Sequence, residues 1–149
     1  MKSATVWFRI SAVILLLFAA GHTFGFLNFK PPTEQGLAVR ESMANVHFEV
    51  GGKIFSYGGF YRGFGLSATV SMLFEAFVCW FLGGLARRNP REVRAIGWAL
   101  VVQQIAGMVL SLLYFGIPPI LFSAVLTICI IAATWLASAN FDAQSNSRS

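Results

Sequence analysis

Charge is what this sequence has least of: 11% of its 149 residues are Asp, Glu, Lys or Arg, and only six are acidic. A soluble domain carries about 25% charged residues to cover its surface, so the shortfall argues against a water-soluble enzyme and against a disordered tail. The two histidines, His22 and His47, have no paired carboxylate at ligand spacing, which excludes a dedicated metal site. Cys79 and Cys129, the two cysteines, fall inside apolar segments and read as small apolar residues with nothing to support a disulfide. Gly58-Gly59 and Gly63-x-Gly65 lack the lysine and preceding strand of a phosphate loop. No Ser-His-acid arrangement can be assigned. Neither a metal nor a cofactor is expected.

Apolar length takes the place of charge. The chain is 56% hydrophobic, with 15 Phe and 14 Gly and a mean hydropathy of +0.68. Crossing a hydrocarbon core about 30 Å thick takes about 20 apolar residues, and four segments qualify: about 10–27, 63–85, 95–115 and 120–136. Gly116-Ile117-Pro118-Pro119 reads as a tight helix-breaking turn between the last two. The expected fold is all-α, a single domain forming an up-and-down integral membrane bundle of four transmembrane helices. Residues 28–62 form an external loop and 137–149 a frayed tail.

Orientation follows from Lys and Arg in short loops. Lys2, Arg9, Arg87, Arg88, Arg91, Arg94 and Arg148 fall on one side, and Lys30, Arg40, Lys53 and Arg62 on the other. The dense Arg87–Arg94 turn places both termini in the cytoplasm. Trp7, Trp80, Trp98 and Trp135 fall towards that side, and Tyr57, Tyr61 and Tyr114 towards the outer one, as interfacial rings do. The net charge of +5 is therefore a membrane-edge feature, and no nucleic-acid partner is expected. Lys2 and Arg9 before Ile10–Ala20 also read as a secretory signal peptide. Because apolar character resumes at Phe24-Gly25-Phe26-Leu27, a retained first span is expected.

In the outer loop, Pro31-Pro32-Thr33-Glu34 reads as a helix start with Thr33 as cap. The helix is expected to run to about Val50 and stop at Gly51-Gly52, with Leu37, Ala44 and Phe48 on one face. That makes an external amphipathic helix between the first and second spans, lying on the membrane or serving as a docking face. The outer Lys and Arg, spread among three acids, form no anionic-ligand cluster.

Polar residues within the spans are the informative ones, because a charged carboxylate there costs on the order of 2.5–3.5 kcal/mol. Glu75 is the sharpest. Ser67, Ser71, Glu75 and Cys79 recur every four residues as a small-and-polar stripe. Gln104, Gly107, Ser111 and Tyr114 share a face of the third span, and Gln104 lies within about one turn of Glu75 in depth. A Glu75–Gln104 hydrogen bond is the structural reading of that pair, and an ionisable site is the functional one. His22 lies on the first span about two turns above Glu75. It either bonds a Ser, Thr or Tyr across a helix interface or joins a proton relay. Ser123, Thr127 and Thr134 are expected to satisfy their own backbone carbonyls. Tyr57, Tyr61 and Arg62, with neighbouring Phe residues, form a candidate outer rim.

Two segments are distinctive: Gly21-His22-Thr23-Phe24-Gly25 closing the first span, and Phe60-Tyr61-Arg62-Gly63-Phe64-Gly65-Leu66 opening the second. On these the chain resembles a family of small uncharacterised bacterial four-helix membrane proteins, loosely similar in size and layout to DoxX-like proteins. The resemblance spans most of residues 10–136 and implies a bacterial cytoplasmic-membrane location, but no reaction.

Three function classes remain. The first is a structural or interaction subunit, with the lipid bilayer and a membrane-protein partner or a second copy of itself around it. The second is a site for a lipid-soluble small molecule (a quinone, sterol-like or polyprenyl compound), with Glu75 and His22 as its polar groups. The third is proton or ion translocation, for which one acid and one histidine make a thin pathway.

Overall fold

The computed structural model describes the backbone of residues 2–146 and the side chains of residues 3–139. The Lys2 side chain and Arg148, two of the basic residues assigned to the cytoplasmic edge, lie outside the described residues, as does the end of the expected tail. Among the described residues the chain forms five helices and one hairpin: α1 (Lys2–Asn28), α2 (Glu34–Asn45), β1 (His47–Val50), β2 (Lys53–Ser56), α3 (Tyr57–Leu85), α4 (Pro90–Tyr114) and α5 (Ile117–Asn146). Four of them, α1, α3, α4 and α5, are long and apolar enough to cross a membrane. Even α4, with 25 residues, extends about 37 Å at 1.5 Å per residue.

The chain divides into two compact units, Met1–Phe18 with Leu73–Ser149, and Ala19–Met72. The first is packed inside out compared with a soluble domain. Its core is rich in small residues, including Ala4, Ala12, Ala76, Cys79, Ala86, Ala133 and Ala137, around Phe8, Leu15 and Leu82. Large apolar side chains face outward: Phe74 and Leu113 are each 67% exposed. Hydrocarbon is as apolar as leucine, so helices in lipid associate through close backbone approach at small residues rather than by burying large ones. A Cβ on Gly97 would lie 2.5 Å from Thr134 Oγ1, and one on Gly83 would lie 3.2 Å from the Thr5 carbonyl oxygen. Gly97, early in α4, thus meets Thr134, late in α5. At the other end Ser111 and Ser123 hydroxyls approach to 3.5 Å, so α4 and α5 run antiparallel.

The connection between those helices differs from the expected turn. The Phe115 amide donates to the Ser111 carbonyl at 3.0 Å, and α5 begins at Ile117, so Pro118 and Pro119 sit in its first turn. Proline is tolerated there because first-turn amides have no intrahelical partner to lose. α5 continues through Ala137 as far as Asn146.

In the second unit α2 starts as its cap dictates, with Thr33 Oγ1 accepting from the Gly36 amide at 3.1 Å. It stops at Asn45, short of the expected Val50, and the remainder forms an antiparallel hairpin pairing Phe48 with Phe55 and Val50 with Lys53. Gly51 and Gly52 have φ of 59° and 76°. Two successive residues of positive φ make the tight turn whose twist matches that of paired strands, and glycine adopts it without a Cβ penalty. Gly51-Gly52 therefore reverses the chain rather than ending a helix. Phe48, expected on the helix face with Leu37 and Ala44, lies on β1.

Candidate functional site

Glu75 and Gln104 meet in the first unit. Glu75 is 5% exposed and Gln104 8%, and Gln104 Nε2 donates to Glu75 Oε1 between α3 and α4. An amide can match a carboxyl in either protonation state, because it offers both a donor and an acceptor. The pair is thus a polar clasp between α3 and α4. Ser71, one turn before Glu75, is exposed and donates to the Ser67 carbonyl at 3.0 Å. Ser67 is exposed as well and bonds the Phe64 carbonyl at 2.8 Å. The stripe from Ser67 to Cys79 therefore turns from the outer face to the core along α3. Tyr114, at the end of α4, is 75% exposed.

The hydroxyls of α5 divide three ways. Thr127 satisfies the Ser123 carbonyl at 2.7 Å. Ser123 faces the Ser111 hydroxyl instead of its own helix. Thr134 Oγ1 is buried without a hydrogen-bond partner, contrary to the expectation that it bonds its own backbone, and it occupies the space left by Gly97.

His22 belongs to the second unit. Its Nε2 lies 3.1 Å from the Gly65 carbonyl oxygen; a carbonyl only accepts, so Nε2 carries the proton. This bond goes to backbone rather than to the Ser, Thr or Tyr hydroxyl that the sequence suggested. The adjacent Thr23 hydroxyl reaches Thr69 Oγ1 at 2.8 Å. Phe26 stacks on the His22 ring, with centroids 5.8 Å apart and planes 7° apart, and touches Tyr61 at 5.4 Å. A Cβ on Gly65 would overlap the Phe26 ring. The distinctive Gly-His-Thr and Phe-Tyr-Arg-Gly-Phe-Gly segments are therefore two sides of one α1–α3 contact. His22 and Phe26 stand four residues apart, and that spacing was the available signal for their stacking.

Of the rim candidates, Tyr57 joins an aromatic cluster, 4.8 Å from Phe48, which also meets Phe60 edge-on at 5.5 Å. Tyr61 and Arg62 instead line a cavity of about 580 Å³ walled by the end of α1, α2, Ser56 and the first turns of α3. Arg40 lines the same cavity, its Nη1 donating to the Phe29 carbonyl at 2.8 Å. Sequence separation hid this pairing of Arg40 with Arg62, and only the folding back of α2 creates it. Among the described residues no three of His, Cys, Asp and Glu gather as metal ligands would.

No family model, curated protein or solved structure matches this chain.

Proposed function

We propose that this chain is a structural or interaction subunit of a bacterial cytoplasmic membrane, an up-and-down bundle with both termini inside and α2 and the hairpin outside. The Lys and Arg distribution supports that orientation, and the resemblance to small four-helix bacterial membrane proteins accords with the layout. Glu75 and His22 act in it as helix-to-helix fasteners. Each is engaged by the protein itself, through Gln104 and the Gly65 carbonyl.

The observation that carries the interaction reading is Gln103. It is exposed on α4, with exposed Ala99 and Gly107 four residues to either side and open space beside Gly107. An amide facing hydrocarbon is costly to leave unpaired, and a flanking glycine lets a second helix approach it. The expected assembly is tested by native mass spectrometry of the gently extracted protein. Wild type should exceed the 16.3 kDa of one chain, and Gln103→Leu or Gly107→Leu should reduce it to that mass. A wild-type monomer, or an assembly untouched by both changes, counts against the reading.

The cavity of the second unit favours a second reading, in which this unit holds a lipid-soluble small molecule. The pocket is mostly apolar with few polar groups, as ligand sites are.

A further inference from the structure

We propose that this cavity binds an anionic amphiphile, its phosphate or carboxylate held by Arg40 and Arg62 and its chain lying against Phe26, Phe29, Met43 and Tyr61. The inference rests on the small-molecule reading of the cavity and assigns the chemical class of its ligand. Both arginines line the same space, although 21 positions separate them in the chain. Among the described residues neither is held in an ion pair with a carboxylate. Arg40 uses one donor on the Phe29 carbonyl, which fixes the guanidinium against the wall and leaves most of its five N–H groups free. Guanidinium groups bind carboxylate and phosphate through paired, charge-assisted hydrogen bonds. A neutral or cationic ligand would leave two positive charges uncompensated beside an apolar wall. The volume of about 580 Å³ suits a headgroup with the first part of a chain, within the roughly 300–1,000 Å³ of ordinary ligand pockets.

A membrane phosphodiester and a free fatty acid share this chemistry, so the experiment tests both. The full-length protein in neutral detergent is mixed separately with phosphatidylglycerol, oleate and zwitterionic phosphatidylcholine, and adducts are counted by native mass spectrometry. One anion or both should be retained as a one-to-one adduct, well above phosphatidylcholine; whichever is retained identifies the source. Arg62→Gln should weaken retention by about tenfold, the scale of one charged hydrogen-bonding partner. Val39→Trp, which keeps both arginines but fills the cavity, should do the same, and an unchanged melting temperature confirms that each variant folds. A second arginine groove, formed by Arg9, Trp80, Arg87 and Arg88 in the first unit, serves as control: Arg87→Gln with Arg88→Gln should leave the adduct intact. Adduct loss in that control alone, or anion retention unchanged in both cavity variants, overturns the proposal. Equal retention of phosphatidylcholine and the anions, lost in Val39→Trp, removes the anionic assignment and keeps the cavity reading. No adduct of any probe removes both.

Discussion

Gln104 closes onto Glu75 between α3 and α4, donating its side-chain N–H to the carboxyl beside an apolar core of alanines and larger residues such as Phe8, Leu15, Leu82 and Leu100. Two polar side chains thereby enter an apolar bundle at little cost, because each supplies what the other lacks. Removing one partner leaves the other buried and unmatched, and that asymmetry governs the first expected outcome.

Glu75→Leu should lower stability by about 1–3 kcal/mol, the penalty for an orphaned buried amide. Glu75→Gln, which still accepts from Gln104, should stay close to wild type. Glu75→Leu combined with Gln104→Leu should recover much of the loss, since both polar groups are then gone. Thermal unfolding in detergent reads all three, and a Glu75→Leu protein that melts with wild type would show that the clasp holds nothing.

Gly97 and Thr134 form a second coupled pair. Gly97→Ala places a methyl against the Thr134 hydroxyl and should cost about 1–3 kcal/mol, as overpacking does. Thr134→Val removes an unpartnered buried oxygen with little change of shape, and should be neutral or stabilising by about 1 kcal/mol. Thr134→Ala should rescue Gly97→Ala by making room. If Gly97→Ala melts the same with and without Thr134→Ala beside it, the two helices do not meet as described.

Gly65 and Phe26 make the third test. Gly65→Ala should displace the Phe26 ring and with it the stack on His22. Phe26→Leu should lessen the penalty of Gly65→Ala, and hydrogen exchange at residues 60–66 should report the loosening and its repair. Equal protection in wild type and Gly65→Ala would place the ring elsewhere.

Much of this was legible in the chain. Thr33 begins α2 because its side chain offers an acceptor to an amide that has no helical partner. The Glu75–Gln104 bond followed from depth along two spans. The hairpin had its signal too, since Gly-Gly stands between two short runs containing Phe, Val and Ile. Runs of four residues also fit one turn of helix, however, and a helix-forming stretch leads directly into the first of them.

Composition and local spacing by themselves determined the four apolar helices, because no water-facing surface can be made from this little charge and stretches of about 20 apolar residues match a bilayer. Only the tertiary structure decided which faces meet. It turned Gln104 inward and Gln103, the neighbouring residue, outward; it took Ser71 to the surface and Glu75 to the core; and it brought Arg40 to the cavity of Arg62. Spacing sets the angles among side chains on one helix, about 100° per residue. The rotation of each helix about its own axis, and the placement of α2 that carries Arg40, are set by where neighbouring elements allow backbones to approach.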